Sequence, residues 1–409
     1  MSKTIFFSVG EPSGDQHAAR LVRELLAQNR EWNLRGFGGK HMQQAGCQID
    51  LDLTEHAVVG ILEVLPKIKQ FFGFADQAEA LFAAGEVDAV VLVDFPGFNW
   101  HIAKRAKRYG IPVFYYCPPQ LWAWAAWRIK KMKRTVDHVL CVLPVEQAFF
   151  SRHGMSTELV GHPFFDAVAE STLDADRLQQ LCRANESEST VAVLPGSRTH
   201  EVHRNWPIMV QAIKRLSEKH PDARFAVAAY REKHLEFCKS HPEASQLPID
   251  FYLGCTSEII EHSKCAMMVS GSVSLELMAR QTPAVVLYRI GRFLNLFAKL
   301  VVRAKSMTLP NMMPLEETSF EHSQDTELPP PADRVFPEIV SVGNSAPAVE
   351  FLTETIDRML SDADYFAKKQ RQLTQLGQRY AEPGATSRAA QAIDRHLPRN
   401  DQPETQRAA

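Results

Sequence analysis

The sequence predicts an α/β protein built from two doubly wound, Rossmann-like domains with an interdomain cleft. Three observations carry this. At 409 residues the chain is too long for one hydrophobic core and suits two domains of ordinary size. Short continuous apolar runs, such as DAVVLV at residues 88–93, alternate with amphipathic stretches, the pattern of parallel strands covered on both faces by helices. The alternation stops at a polar stretch, ESTLDADRLQQLCRANESEST at residues 170–190, and then starts again.

In the first half, TIFFSV at residues 4–9 is closed by Gly10 and followed by a helical pattern over 15–27, the opening of a βα unit. Further strands are expected at 88–93, 112–116 and 138–142, with a helix over 101–109. In the second half, strands at 191–194, 224–228, 265–270 and 284–287 are interleaved with helices over 199–219 and from 273 onward. Residues 316–338 are acidic and proline-rich and read as an irregular loop, after which helical patterning returns over 346–396. The expected division is 1–168 for the N-terminal domain, 169–189 for a linker and 190–370 for the C-terminal domain. C-terminal helices over 371–396 and a disordered tail over 397–409 complete the chain.

Composition narrows the function. Apolar residues make up 45% and charged residues 23%, which is ordinary for a globular protein. Lys plus Arg, at 46, nearly balance Asp plus Glu, at 48, so the global basic field that drives nucleic-acid binding is missing. The seven cysteines are scattered without a C-x-x-C pair, which points to reduced, buried thiols in a cytoplasmic protein rather than to disulfides or zinc. The N-terminus does not read as a signal peptide, and no run approaches the roughly 18 apolar residues of a membrane span. A soluble or peripheral protein is expected. His200 and His203 are three residues apart where a zinc-binding helix needs four, so no metal is expected either.

Chemistry is expected at the turns that follow strands. GEPSGD at residues 10–15 lies between the first strand and the first helix, where backbone N–H groups suit an anion or sugar hydroxyls, although such turns also serve packing alone. Asp94 ends an apolar run in VLVDFPGFN; a carboxylate there is partly desolvated and suits a general base, or it hydrogen-bonds the following turn. Asn99 caps the next helix or binds ligand. LPGSR at 194–198 repeats the strand, glycine, helix order, with Ser197 at or near the N-cap and Arg198 able to pair with phosphate oxygens. A plain capped helix explains that turn equally well. SGSVSLE at 270–276 is a third such turn, in which Glu276 suits ribose hydroxyls or merely favours the helix dipole.

Two stretches read as surfaces. PPQLWAWAAWRIKKMKR at 118–134 gathers Trp122, Trp124 and Trp127 with Arg128, Lys130, Lys131, Lys133 and Arg134. Core packing, a lipid-headgroup surface and a nucleic-acid strip all use such residues, and the balanced charge weighs against the last. RIGRFLNLFAKLVVRAK at 289–305 has the wheel of an amphipathic basic helix, suited to a sheet face or to a membrane surface.

Ten motifs in order then resemble one family. They are GEPSGD from Gly10, GGKHMQQAG from Gly38, VVGILEVLP from Val58, DFPGFN from Asp94, PPQLWAWAAWR from Pro118, LPVE from Leu143, VGHPFFD from Val160, LPGSRTHEV from Leu194, SGSVSLEL from Ser270 and TLPN from Thr308. Together they are similar to the lipid-A-disaccharide synthases, membrane-associated glycosyltransferases of the two-domain GT-B type. The resemblance implies inverting transfer of 2,3-diacylglucosamine from UDP-2,3-diacylglucosamine to the 6-hydroxyl of 2,3-diacylglucosamine 1-phosphate, forming a β-1,6 disaccharide and UDP. It implies that Gly196, Ser197 and Arg198 hold the diphosphate and Glu276 the ribose, with Ser272, Ser274 and Asn311 on the same UDP-sugar side. Gly10, Glu11, Ser13, Gly14, Asp15, Asn99 and His162 would form the acceptor side, with Asp94 as base. Trp122, Trp124, Trp127, Arg128, Lys130, Lys131 and Lys133 would contact an anionic membrane surface on the cytoplasmic face of the inner membrane. No cofactor and no metal are implied, a fixed cation and helix N-termini stabilising the leaving UDP. Nucleic acid is not expected as a partner, and a homodimer is left open.

This chain departs from the family pattern at four points. Gly97 stands where the family has an acid, serines replace threonines in SGSVSLEL, the segment after Asn311 is longer, and the Pro337-Glu338 pair lacks the following glutamine.

Overall fold

The computed structural model describes residues 3–29, 31–56, 68–184, 189–293, 295–296, 306–314 and 329–397. The VVGILEVLP stretch, the greater part of the 289–305 segment, residues 316–328 of the acidic loop and the tail beyond 397 lie outside them.

Two compact units divide the chain, one of Met1–Asp166 with Pro383–Ala409, the other of Ala167–Glu382. The first holds strands β1 (Thr4–Val9), β2 (Asn33–Gly38), β3 (Gln48–Asp52), β4 (Ala89–Val93), β5 (Val113–Tyr116), β6 (His138–Cys141) and β7 (Ser156–Leu159) in a sheet ordered β3-β2-β1-β4-β5-β6-β7. The second holds β8 (Thr190–Leu194), β9 (Arg224–Ala229), β10 (Ile249–Leu253), β11 (Cys265–Val269), β12 (Ala284–Ile290) and β13 (Glu338–Val342), ordered β10-β9-β8-β11-β12-β13. All recorded pairings are parallel, as the continuous apolar runs require: every residue of β4, β5, β8 and β11 is buried.

Helices fill the crossovers. Pro12–Gln28 and Pro96–Arg108 both begin earlier than the hydrophobic pattern suggests, because proline sits at the first helical position, where no N–H is needed. The segment 169–189, expected to be a linker with a short helix of its own, holds helix Ala175–Ala184 and the last two residues of helix Pro163–Glu170. β12 runs on to Ile290, so the first two residues of the segment predicted as helix 289–305 belong to a strand. Arg289 and Ile290 pair in register with Ser341 and Val342, and the Arg289 guanidinium donates to the Gly343 carbonyl at 3.0 Å. The acidic loop likewise ends in β13, which starts at Glu338.

The helix Ala385–His396, expected to follow the second domain, returns to the first unit and packs on Pro12–Gln28. Asp166, the last residue of the VGHPFFD motif, holds it there. Its carboxylate accepts the N–H groups of Gly384 at 2.6 Å, Ala385 at 3.1 Å and Thr386 at 2.7 Å, satisfying the orphan donors of that helix start. Arg388 adds a bond to the Val160 carbonyl at 2.8 Å.

Candidate active site

In the first sheet β1 and β4 are neighbours, and the strand order runs outward from them in both directions. Such a switch point leaves a crevice at the C-terminal ends of the strands. GEPSGD leaves β1 at that point and DFPGFN leaves β4. The two turns interlock: a Cβ on Gly10 would stand 2.2 Å from the Phe95 ring, and one on Gly14 would come to 3.9 Å from the Asp94 Cβ. Glycine at position 10 is thus a packing requirement of the Asp94 turn.

Asp94 and Phe95 have φ of 48° and 46°, two consecutive left-handed residues that are not glycine. Each costs on the order of 1–3 kcal/mol and persists only where the surroundings impose it. Here the Asp94 carbonyl accepts from Asn99 Nδ2 at 2.7 Å and from the Tyr115 hydroxyl at 2.8 Å. Asn99 is itself fully buried, its Oδ1 accepting from the Ser8 hydroxyl at 2.7 Å and its Nδ2 also donating to the Ser8 carbonyl at 3.2 Å. Asn99 therefore neither caps the helix nor offers its amide to a ligand; it ties the strained turn to β1. Burial pushes the Asp94 carboxyl up to about 6, Glu11 adds to the rise, and the Phe95 N–H opposes it. The group is ionised at neutral pH yet more basic than an ordinary carboxylate.

Asp15, expected as an acceptor-side ligand, is taken up by the fold. It is 2% exposed and accepts the N–H groups of Gly39 at 2.8 Å, His41 at 2.9 Å and Met42 at 3.3 Å, the start of helix Lys40–Gln44. Glu11 is half-buried and Ser13 exposed. His162 lies with its ring 6.1 Å from that of His17, and its Nδ1 accepts the Phe164 N–H at 3.2 Å. Burial pushes His17 down to about 4, helped by Arg20 and opposed by Asp166, and pushes His162 down to about 3, helped by His17. Both imidazoles are neutral at physiological pH.

Glu146 is the last residue of the LPVE motif, to which the sequence assigns no role. It is 1% exposed, and its Oε2 accepts the Val142 N–H at 3.0 Å and the Leu143 N–H at 3.2 Å, just beyond the end of β6. Burial lifts it to about 8 against the pull of those amides and of the Trp122 indole, with Asp94 nearby adding to the rise. A carboxyl that follows a buried strand was the available signal, the same one that picked out Asp94.

The tryptophan stretch divides. Trp122 is 2% exposed and belongs to the core, which removes it from the expected membrane-contact set, whereas Trp124 and Trp127 are 39% and 64% exposed. Arg128 lies over the Trp124 ring at 5.1 Å and Lys131 over Trp100 at 5.2 Å. Burial lowers Lys131, and Arg128, Lys104 and Arg134 lower it further, so these cations crowd one surface beside two exposed indoles.

In the second sheet the corresponding switch point lies between β8 and β11. Gly196 takes φ of 122°, and a Cβ there would meet Glu201 at 2.8 Å. Helix Thr199–Lys219 starts one residue later than Ser197 would cap it, so Arg198 is the N-cap. Glu201 accepts the Ser197 N–H at 3.3 Å and the Arg198 N–H at 3.2 Å and pairs with the exposed Arg198 guanidinium at 3.2 Å. The anion-binding end of this helix thus holds a carboxylate of its own. At the other turn, Ser272 is exposed, while Ser274 is fully buried and donates to the Gly271 carbonyl at 2.8 Å. Glu276 is 8% exposed and pairs with Arg280 Nε at 3.1 Å. Asn311, expected on the donor side, is buried with both ends of its amide on Phe336: Nδ2 to the carbonyl at 2.9 Å, Oδ1 from the N–H at 3.0 Å. Ser274 and Asn311 are therefore framework groups.

The chain matches the family described as lipid-A-disaccharide synthetase over residues 5–330. It is 32% identical over 394 residues to the lipid-A-disaccharide synthase of Myxococcus xanthus, covering 96% of this chain and 97% of that one. The chain belongs to the lipid-A-disaccharide synthase family. The synthase of Trichlorobacter lovleyi is 30% identical, with 95% and 96% coverage. In fold, the chain is similar to a UDP-GlcNAc 2-epimerase from Neisseria meningitidis bound to UDP-GlcNAc, with a TM-score of 0.63 at 12% identity, covering 96% of this chain and 99% of that one. As a member of the lipid-A-disaccharide synthase family with two doubly wound sheets of GT-B type, the protein is a hexosyltransferase of lipid A biosynthesis. Among the described residues no helix is long and apolar enough to cross a membrane.

Proposed function

We propose that this enzyme transfers 2,3-diacylglucosamine from UDP-2,3-diacylglucosamine to the 6-hydroxyl of 2,3-diacylglucosamine 1-phosphate with inversion, without a metal ion. The observation that carries the proposal is the presentation of Asp94. A carboxylate lifted to about 6 stands on a strained turn at the switch point of the first sheet, held by Asn99 and Tyr115. Asp94 takes the proton of the acceptor hydroxyl as its oxygen forms a bond to the donor's anomeric carbon. The bond from that carbon to the diphosphate breaks, and UDP leaves with the electron pair. A single displacement inverts the centre.

The donor belongs on the second unit in this reading. UDP-GlcNAc bound to a protein of like fold supports a UDP-sugar, and the turn at residues 195–198 supplies Arg198 and a helix start. A diphosphate arriving there competes with Glu201 for both, so donor binding requires that carboxylate to swing away. Glu276 serves the ribose, and Arg280 holds its carboxylate in place. Trp124, Trp127 and the cations Arg128, Lys130, Lys131 and Lys133 attach the enzyme to the anionic inner face of the inner membrane, where its acylated substrates reside.

The test is mass analysis of products from the two substrates, with and without EDTA. A disaccharide of the summed mass less UDP, formed equally in EDTA, is expected. Folded protein that yields none refutes the substrate assignment, and activity abolished by EDTA and restored by a divalent ion refutes the metal-free route.

A further inference from the structure

Glu338 opens β13 and is 6% exposed, and the protein occupies both oxygens of its carboxylate. Oε2 accepts from the Ser306 hydroxyl at 2.9 Å, the Thr308 hydroxyl at 3.0 Å, Asn311 Nδ2 at 3.2 Å and the Met307 N–H at 3.2 Å. Oε1 takes the Arg334 guanidinium. One carboxylate therefore gathers the polar groups of residues 306–311, and removing it takes away the acceptor they share.

The same segment is fixed at a second point. The Ser270 hydroxyl donates to the Met307 carbonyl. Ser270 is the first residue of the turn that carries Ser272 and Glu276, beside β8 at the switch point of the second sheet. Met307 is thus bound through its N–H to Glu338 and through its carbonyl to that turn. The helix Leu309–Met312 also packs on Val273–Ala279, the helix that bears Glu276.

We propose that Glu338 is a positioning residue for the UDP-sugar site: it clamps residues 306–311 so that the turn at 270–276 keeps its ligand-binding shape. With both oxygens engaged, Glu338 acts through Met307 and Ser270 and does not touch the nucleotide. This rests on the reading of the second unit as the donor site.

The experiment is calorimetry with UDP alone, together with KM and kcat for each substrate. Glu338→Ala raises the UDP Kd and the donor KM by roughly tenfold or more, with kcat at saturating donor and the acceptor KM within about threefold of wild type. Glu338→Gln keeps one acceptor oxygen in place and recovers part of the loss. Should Glu338→Ala not fold, Ser270→Ala cuts the other end of the link and shows the same donor-specific loss in smaller measure. Wild-type UDP affinity in folded Glu338→Ala or Ser270→Ala, or equal rises in donor and acceptor KM, overturns the clamp while the donor site stands. A wild-type protein with no affinity for UDP removes the donor site and the clamp with it.

Discussion

Asp94→Asn separates catalysis from folding because the two effects run in opposite directions. Asparagine is among the few side chains that tolerate a left-handed backbone, so φ of 48° is no obstacle and the Asn99 and Tyr115 bonds to the residue 94 carbonyl survive. The amide cannot take a proton, and loss of a positioned general base costs roughly a hundredfold to ten-thousandfold in turnover. With a carboxyl at about 6, wild-type kcat/KM falls about tenfold between pH 7 and pH 5, a limb that the variant lacks. Stability moves the other way. Below the ordinary value of 3.8 the carboxyl is protonated whether folded or not and contributes nothing; above about 6 it is ionised in both states, and the full cost of burying the charge is present. The shift corresponds to at most about 3 kcal/mol, and partial exposure reduces this to about 1–2 kcal/mol. Asp94→Asn is therefore expected to be more stable than wild type at pH 7 to 8 by that amount, with the difference vanishing below pH 4. Product formation by mass and urea melts at each pH give both readings. A folded variant with near-wild-type turnover would falsify the assignment of Asp94 as base.

Three further perturbations follow from other parts of the molecule. Arg198→Ala is expected to raise the donor KM by only about tenfold, since this guanidinium is 58% exposed and already paired with Glu201; a change confined to the acceptor KM contradicts the donor role. Glu146 has a raised value of about 8, so wild type loses stability as pH rises from about 4.5 to about 8 and stays level above. Glu146→Gln removes that slope, and the gap between the two proteins in urea should change by a few kcal/mol from pH 5 to pH 8; a pH-independent gap shows that the carboxyl is not held protonated. Replacing Lys130, Lys131 and Lys133 together by glutamate should weaken binding to anionic vesicles by about 3 kcal/mol or more at low salt and by less at high salt, read by sedimentation. Unchanged binding locates membrane contact elsewhere.

Apart from β2, whose NLRGFG is broken by Arg35 and two glycines, the interior strands were legible because a strand buried on both faces is a continuous apolar run, as in AVVLV of β4 and TVAVL of β8. The edge strands were not. QIDLD of β3 and STEL of β7 are half-polar, because one side of an edge meets solvent, and IDFYL of β10 and EIVSV of β13 lie at the edges of the other sheet. In the site, the position of Asp94 at a strand end could be read from the sequence, but what holds it could not: Ser8 and Asn99 are 91 residues apart. Asp15, Ser274 and Asn311 were expected to meet ligand, but their side chains are engaged within the fold, because only tertiary structure reveals the N–H groups and carbonyls that use them up. The Glu201 carboxylate at the helix start belongs to the same class of omission.

The bonds from Asp166 to Gly384, Ala385 and Thr386 make the second unit a parenthesis in the first. The chain departs after Asp166 and returns at Pro383, and the Asp166 carboxylate joins the departing helix to the returning one. Sequence order and membership of a unit therefore part company. A ribosome that has released the first 166 residues has not finished the first unit, because the helix that covers Pro12–Gln28 is encoded beyond the whole of the second. Cutting the gene after residue 166 yields a sheet with an uncovered helix, whereas joining residue 166 to residue 383 through a short linker restores the complete piece.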